Sequence, residues 1–474
     1  MARQQYHLIV IGSGPAGEKG AAQAAYFGNR VALIEKEPVL GGTAANTGTI
    51  PSKTLRETAL YLSGFQQRDL FGVNLSLKDK VTVPDFLFRE RLVKESERNR
   101  IGENLKRHGI DLYSGLASFV DPHTISVQPK NSPQVTIQAD KVLIATGSYP
   151  FHPPVFPFHD FRVYDSDTIL ALHEIPPTML IVGGGVVGCE YCCMFAALGI
   201  EVTLVENNAR LMRFLDYELS DSLQSRIEMM GIRLEMPDSV TSVNTEDTLL
   251  KVELRTGRTL EAHTILVATG RNGNVEDLNL DQIGIDTDGR GRILVNEIYQ
   301  TSLPHVYAAG DVIGFPALAS TSMEQARVAM VHAFDLGYKP QLARILPYGI
   351  YTIPECSVAG ETEQSLAAKE IPYVVGKASY IHNPRGLIIG EEKGFLKLLF
   401  KQDDMKLVGV HVIGEQATEI VHVGLTAMLM GAGVDLFIES CYNYPTLTDM
   451  YKYAAYDALD QRSRQAKSNR KDPQ

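Results

Sequence analysis

Residues Leu8-Ile9-Val10-Ile11-Gly12-Ser13-Gly14-Pro15-Ala16-Gly17 run from a short β-branched apolar segment into a turn with glycine at its first, third and sixth positions. The apolar segment has strand length, the alanine-rich stretch that follows to Phe27 favours helix, and Gly28 suits the helix stop. A second apolar run, Val31-Ala32-Leu33-Ile34, ends in Glu35. The order reads strand, glycine turn, helix, strand, acid. It recurs in Met179 to Val182, Gly183-Gly184-Gly185-Val186-Val187-Gly188, a helical stretch to Leu198, Gly199, Val202 to Val205 and Glu206. Each landmark of the second copy lies 171 residues beyond its counterpart (Gly12 to Gly183, Gly17 to Gly188, Gly28 to Gly199, Glu35 to Glu206), so the chain contains an internal repeat.

The spacing has a physical purpose. The first glycine permits a tight turn, the second lets backbone approach a pyrophosphate, and the third allows close helix–strand packing. The helix N-terminus then offers free N–H groups and its dipole to the phosphates. The acid 23 residues after the first glycine can accept hydrogen bonds from ribose hydroxyls. One such motif is weak; two, each between a strand and a helix, indicate two dinucleotide-binding units. Each half also closes on a similar segment, Leu143-Ile144-Ala145-Thr146-Gly147 and Leu266-Val267-Ala268-Thr269-Gly270, which for one copy alone is as readily structural as ligand-binding. A third apolar segment, His305 to Ala309, leaves Gly310-Asp311 at its end, and Asp311 could bond a polyhydroxyl chain.

At roughly 150 residues per domain, 474 residues suggest about three domains. From about Pro347 the pattern changes to short alternating segments, Phe395 to Phe400 and Leu407 to Val412, with a helical stretch from Glu419 to Met430, which suggests an α+β unit. Residues Gln461 to Gln474 are polar without apolar periodicity and are expected to form a disordered tail. A net charge of −11 gives no general nucleic-acid footprint, although the basic tail could touch an anionic partner. The N-terminal apolar run is too short for a signal peptide or membrane span, and five cysteines, an odd number, do not make a secreted disulfide framework. A cytoplasmic protein is expected.

Together, Gly12 to Glu35, Gly41-Gly42-Thr43, Ile50-Pro51-Ser52-Lys53, the second glycine motif, Gly310-Asp311 and Tyr351-Thr352-Ile353-Pro354-Glu355 resemble the flavoprotein pyridine nucleotide–disulfide oxidoreductases over nearly the whole chain. The resemblance implies an α/β fold with two Rossmann-like domains, for FAD and NAD(P), plus a C-terminal α+β dimerisation domain. Its boundaries would be 1–150 and 272–345 for FAD, 151–271 for NAD(P) and 346–460 for dimerisation, followed by the tail 461–474. It assigns Gly12, Gly14, Gly17, Glu35, Lys36, Gly41, Gly42, Thr43, Ala117, Thr146, Gly147, Gly310, Asp311 and Ala319 to FAD. Gly183, Gly185, Val186, Gly188, Glu206 and Gly270 go to the nicotinamide dinucleotide. Lys53 and Glu190 would form a catalytic pair near the flavin N5 side, stabilising negative charge on reduced flavin, and Val186 would leave easier nicotinamide access than a shielding tyrosine. No metal is implied. The family's C-terminal segment reaches the partner's flavin, so an obligate homodimer, or a larger assembly built from it, would bring Tyr444, as a third catalytic residue, and Pro445 to that site.

The departures carry as much weight. Disulfide reductases read roughly GGTCxNxGCxPSK, with two cysteines beside the flavin, whereas here Ala44 and Thr49 hold both positions. Neither can form a thiolate or a disulfide, so the dithiol relay is expected to be absent. The family's His-Pro-Thr-x-x-Glu segment is replaced by Tyr444-Pro445-Thr446-Leu447-Thr448-Asp449, and a phenol is a poor base at neutral pH. Cys189, Cys192 and Cys193 share a helix and read as small packing residues, against a redox CxxC or metal site, while Cys356 and Cys441 stand alone.

Within the family, Asn46 to Glu57, Phe65-Gln66-Gln67-Arg68, Gly310 to Pro316 and Asn443 to Thr446 are most similar to the soluble pyridine nucleotide transhydrogenases, which also carry threonine at the second cysteine position. That branch implies ping-pong hydride transfer through FAD between NADPH/NADP+ and NADH/NAD+. The Glu206 carboxylate favours the NAD ribose and would repel an NADP 2′-phosphate by roughly 6 kcal/mol unscreened at about 5 Å and an effective dielectric near 20, a cost that Arg210 could offset. NAD(H) is therefore expected to bind more tightly than NADP(H). Two other functions fit the sequence: an NAD(P)H:quinone reductase or diaphorase, and a non-catalytic flavin-binding redox sensor.

Overall fold

The structure, a computed structural model, describes residues 4–63 and 82–471. The segment Phe65-Gln66-Gln67-Arg68 lies outside the described residues. Strand β1 (Gln4–Ile11) leads through the first glycine turn into α1 (Pro15–Tyr26) and β2 (Val31–Glu35), the order expected from the sequence. Helices α2 (Gly42–Asn46), α3 (Thr49–Leu62) and α4 (Val83–Arg107) follow. Then come β3 (Asp111–Ser114), β4 (Leu116–Asp121), β5 (Thr124–Gln128) and β6 (Val135–Ile144). These strands form one sheet in the order β3-β2-β1-β6-β5-β4.

Alternate residues of β1 reach opposite cores. Leu8 and Val10 pack with Ala21 and Ala24 of α1, while Ile9 and Ile11 pack with Phe119, Ile125 and Ile137. Because both faces are covered, all five residues of β2 are buried, which is why that strand reads as a continuous apolar run rather than an alternating one.

The chain leaves this sheet through β7 (Ser148–Pro150). The second copy of the repeat follows as β8 (Val163–Asp165), β9 (Thr178–Val182), α5 (Val186–Ala197), β10 (Glu201–Val205), α6 (Tyr217–Met229) and β11 (Arg233–Glu235). A small antiparallel sheet of β12 (Val240–Asn244), β13 (Leu250–Leu254) and β14 (Thr259–Ala262) precedes β15 (Thr264–Val267), which completes a parallel sheet in the order β11-β10-β9-β15-β8. The chain returns on β16 (Arg271–Gly273), antiparallel to β7, so the outgoing and incoming strands are zipped together. After the single-turn α7 (Leu280–Ile283), β17 (Val306–Ala308) rejoins the first sheet beside β6, and α8 (Ala319–Ala333) packs on α1.

The C-terminal unit is a five-stranded antiparallel sheet in the order β18-β19-β22-β21-β20, made of β18 (Pro347–Ile350), β19 (Cys356–Gly360), β20 (Tyr373–Ser379), β21 (Phe395–Lys401) and β22 (Leu407–Ile413). It carries α9 (Glu363–Ala368), α10 (Pro384–Ile389), α11 (Ala417–Leu429), α12 (Val434–Glu439) and α13 (Met450–Lys471). A Cβ on Gly376 would stand 2.0 Å from the Ala454 carbonyl oxygen, so this glycine sets how closely α13 approaches β20.

One expectation is corrected. The segment 461–474 does not begin as an unstructured tail, because α13 runs on to Lys471. The extension is polar all round, so no apolar stripe marks it. It is held by helix-favouring residues, an Arg464–Asp460 ion pair one turn apart at 2.7 Å, and an Arg462 hydrogen bond to the Asp403 carbonyl at 2.9 Å.

Candidate dinucleotide sites and their junction

Both glycine turns lie at the C-terminal ends of their parallel strands, where an α/β sheet places ligands. In the first, Gly12 has φ +100°, and a Cβ there would come within 2.4 Å of the Ala145 carbonyl oxygen. A Cβ on Gly17 would stand 1.8 Å from the Gly12 oxygen, which is what lets α1 start directly under β1. Gly14 caps α1 with no side-chain hydrogen bond to the helix N–H groups, leaving them available to an anion.

Glu35 is held at the edge of this turn by Ser13. The Ser13 N–H and hydroxyl both donate to Oε2, at 2.9 and 2.5 Å, and the Glu37 N–H donates to Oε1 at 2.9 Å. A carboxylate has about four lone-pair directions, so one remains for a ribose hydroxyl. Ser13 also accepts the Gly41 N–H at 2.9 Å, and Gly42 approaches Gly14 closely enough that a Cβ on it would lie 2.9 Å from the Gly14 Cα. Gly41, Gly42 and Thr43, the last in α2, therefore belong to the same wall. The Gly115 N–H bonds the Glu35 carbonyl at 2.9 Å, bringing the corner before Ala117 alongside, while Lys36 is exposed. The Thr146 hydroxyl, beside Gly147 at the end of β6, is buried without a protein partner.

Asp311 follows Gly310 at the end of β17 and accepts the Ser148 hydroxyl at 2.9 Å. Ser148 is in turn gripped by Arg271, whose Nε donates to the Ser148 hydroxyl oxygen at 2.9 Å and whose terminal nitrogens reach Asp167. Ala319 opens α8 and lines a cleft of about 60 Å³ with Pro15, Gly41, Ala44 and Thr49. The two positions where the family motif has cysteines thus share one cleft wall beside the first glycine turn.

The second turn repeats the construction. Gly183 has φ +111° and faces the Ala268 oxygen at 2.5 Å from a built Cβ, and a Cβ on Gly188 would stand 1.8 Å from the Gly183 oxygen. Gly185 caps α5 without a side-chain partner and has open space where its Cβ would be, while Val186 begins the helix. Glu206 accepts the Gly184 N–H at 2.6 Å and the Asn208 N–H at 2.8 Å, as well as the Asn208 side-chain amide. Gly270 has φ +119° at the end of β15, and the Thr269 hydroxyl is buried without a partner, matching Thr146 in the first copy. Open helix ends, glycine floors and unpartnered hydroxyls fit a dinucleotide in each turn.

Arg210 does not turn toward Glu206. It pairs with Asp221 and lies over the Tyr217 ring, 4.4 Å from its centroid. Arg213 comes nearer, donating to Asn208 Oδ1 at 3.1 Å.

The two copies meet at Lys53 and Glu190. Lys53 Nζ lies 2.6 Å from Glu190 Oε2, and Oε1 accepts the Tyr351 N–H at 2.9 Å. The Lys53 ammonium also sits 4.9 Å from the Tyr351 ring centroid. Tyr444, 72% exposed, and Pro445 lie on the C-terminal unit, and among the described residues no hydrogen bond joins them to either glycine turn of their own chain. Cys189, Cys192, Cys193 and Cys356 are buried, and burial pushes the Cys189, Cys192 and Cys356 thiols up.

Sequence reasoning assigned Ser13, Thr269 and Tyr351 no role of their own, although each stands within a motif, and did not single out Ser148 or Arg271. Thr269 was accessible through the repeat, as the counterpart of Thr146. Ser148, Arg271 and Tyr351 act through contacts between distant segments, which have no local pattern.

Two dinucleotide folds joined by a zipped pair of strands, with a C-terminal α+β sheet, define a flavin- and nicotinamide-dependent oxidoreductase class. The chain belongs to the pyridine nucleotide-disulphide oxidoreductases: that family's model matches residues 6–333, and the model of its dimerisation domain matches residues 346–455. Membership implies FAD and a nicotinamide dinucleotide as cofactors, and the dimerisation domain suggests a homodimer. The chain is 43% identical over 460 residues to a soluble pyridine nucleotide transhydrogenase of Mycobacterium bovis, covering 96% of this chain and 98% of the relative. It is 39% identical over 458 residues to that of Pectobacterium atrosepticum, with the same coverage. Among solved structures, the HOCl-induced flavoprotein disulfide reductase RclA from Escherichia coli superposes with a TM-score of 0.85 at 25% identity, over 97% of this chain and 99% of the other. LpdA from Mycobacterium tuberculosis shares the fold, with a TM-score of 0.88 at 24% identity, over 96% and 99%. Among the described residues no helix is long and apolar enough to cross a membrane.

Proposed function

We propose that this protein transfers hydride between NADPH/NADP+ and NADH/NAD+ by a ping-pong route through FAD, without a redox disulfide. The observation that carries this reading is the pairing of Lys53 with Glu190 at 2.6 Å in a chain where Ala44 and Thr49, instead of a cysteine pair, share one cleft wall. The names of the full-length relatives support it.

FAD supplies the acceptor and donor of hydride. Gly12, Gly14, Gly17, Glu35, Gly41, Gly42, Thr43, Ala117, Thr146, Gly147, Asp311 and Ala319 hold it, with Lys36 at the outer edge. Gly183, Gly185, Gly188, Glu206 and Gly270 bind each nicotinamide dinucleotide in turn, and Val186 leaves its nicotinamide end uncovered. Lys53 offsets negative charge as it develops at the reacting end, and Glu190, fixed by the Tyr351 N–H, aims the ammonium. Tyr444 and Pro445 complete the site from the partner subunit. Glu206 favours NAD(H), and Arg213 is the cation placed to soften the cost of a 2′-phosphate.

The division into 1–150 with 272–345, 151–271 and 346–460 is supported by the exit on β7, the return on β16 and the rejoining of the first sheet by β17. The relatives' description as soluble supports a cytoplasmic setting.

The test is anaerobic. The protein is reduced with NADPH, and the rates of flavin reoxidation by an oxidised NAD analogue and by a quinone are compared. Faster reoxidation by the NAD analogue is expected. Rapid reoxidation by quinone with negligible nucleotide transfer would give the diaphorase function instead, and a flavin that no nicotinamide bleaches would give the sensor.

A further inference from the structure

Lys397, on β21 of the C-terminal unit, is fully buried. Its ammonium lies 2.8 Å from Asp216 and 3.1 Å from Glu218, and it also pairs with Glu363. The three carboxylates lie together with the spacing of metal ligands, but the lysine ammonium bonds all three. Asp216 and Glu218 belong to the second dinucleotide unit, at the start of α6, whereas Glu363 opens α9 of the C-terminal unit. A buried charge is retained only where partners satisfy it, so this group fixes the two units against each other at one point.

Asp216 is more than a counter-ion. One of its oxygens accepts the Glu218 N–H at 3.1 Å, capping α6, and the other accepts the Glu363 N–H at 3.1 Å. Asp216 also ends the segment that leaves Glu206. That segment braces the second glycine turn from below: the Met212 N–H bonds the Gly184 oxygen at 3.1 Å, and the Leu211 side chain would meet a Cβ on Gly184 at 2.6 Å. Ser220 of α6 donates to the Leu211 carbonyl at 2.7 Å. Met212 is buried with φ +42°, a left-handed backbone that a non-glycine residue keeps only when its surroundings hold it there.

We infer that Lys397 is a positioning residue for the nicotinamide dinucleotide, anchoring through Asp216 the segment 207–216 that supports the Gly183–Gly188 turn and Glu206. The C-terminal unit thereby sets nucleotide affinity in addition to any role in assembly. This rests on the proposed reading that the second turn takes the nicotinamide dinucleotide.

The test is calorimetric titration of the FAD-loaded protein with oxidised NAD+, which needs no turnover, alongside thermal melting. Lys397→Met should raise the NAD+ dissociation constant about tenfold or more while flavin content stays at the wild-type level, since small displacements of a supporting element are costly at a binding site. Ser220→Ala, a milder change in the same brace, should raise it about two- to tenfold with little loss of melting temperature. Arg226→Met is the control, because Arg226 ties α6 to Glu391 at 3.2 Å without touching the brace, and it should lower stability but spare NAD+ affinity. If Lys397→Met fails to fold, Ser220→Ala decides. NAD+ affinity in Ser220→Ala within about twofold of wild type, or equal weakening in Arg226→Met, overturns the inference. Failure of the wild-type protein to bind NAD+ would instead overturn the reading of the second turn.

Discussion

Lys53 Nζ and Glu190 Oε2 meet at 2.6 Å although the residues stand 137 positions apart, one in α3 behind the first glycine turn and the other in α5 behind the second. The Glu190 side chain is 6% exposed and that of Lys53 27%, so the carboxylate is the fixed partner and the ammonium the one that faces the junction. Each dinucleotide-binding unit contributes one member, and the geometry of the pair depends on how the two units are docked. A surface ion pair would contribute little; this one is partly withdrawn from water and is oriented by a backbone N–H and an aromatic face.

Substituting Lys53→Met should therefore slow reduction of the flavin by NADH about 100-fold, the scale of losing one preorganised charge at a site of developing charge. NAD+ affinity should change little. Glu190→Gln should fall between wild type and Lys53→Met, because it keeps the acceptor for the Tyr351 N–H and loses the charge that aims the lysine. Stopped-flow measurement of flavin bleaching, with separate NAD+ titration, distinguishes these outcomes from a loss of binding. An equal loss of rate and affinity would remove Lys53 from the proposed chemistry.

The two copies of the glycine motif should be separable by mutation. A methyl group on Gly17 or Gly188 collides with backbone, at 1.8 Å from Gly12 or Gly183 oxygen, and neither helix can retreat without opening its strand. Gly17→Ala should yield protein that loses flavin during purification. Gly188→Ala should yield protein that keeps its flavin and is not bleached by either NADH or NADPH. Absorbance spectra before and after nucleotide addition report both.

The repeat was legible because glycine spacing is enforced by backbone collisions that no side chain can evade. The same two turns explain why Glu35 and Glu206 could be placed: each acid ends a strand whose position the turn fixes. Lys53 and Glu190 were accessible only through the family motif, because nothing local to either residue announces a partner so far along the chain. Ser148, Arg271 and Tyr351 escaped for the same reason. The extension of α13 beyond residue 461 escaped for another: periodicity detects an apolar stripe, and this stretch of sequence has none. The sequence shows that a cation follows Glu206 but not that Asp221 and the Tyr217 ring take Arg210 up.

Cysteine chemistry should be dispensable. Burial keeps the Cys189, Cys192 and Cys356 thiols protonated and inaccessible, and Cys441 alone is exposed. A thiol-alkylating reagent applied to the folded protein should label Cys441 only, as judged by mass spectrometry, and reduction of the flavin by NADH beforehand should expose no further thiol. NADH-dependent reduction of small disulfide substrates should be undetectable. Nicotinamide-dependent release of a second labelled cysteine would revive a thiol relay elsewhere in the chain.

On the proposed reading, Glu206 would set the choice between the two nicotinamide pools. It already accepts the Gly184 and Asn208 N–H groups, so its charge is held in place rather than free to swing from a 2′-phosphate. Unscreened repulsion would be roughly 6 kcal/mol at about 5 Å, but the residue is half-buried and solvent screening reduces this to about 1–2 kcal/mol. Glu206→Gln keeps an acceptor for the Gly184 N–H and removes the charge. The ratio of NADPH to NADH dissociation constants should therefore fall about five- to thirtyfold, mostly by tighter NADPH binding. Arg213, held through Asn208, should become more important in that variant, and Arg213→Met should reverse part of the gain, whereas Arg210→Met should not. A wild-type protein that already binds both dinucleotides equally, or a Glu206→Gln variant whose ratio does not move, would show that ribose recognition lies elsewhere.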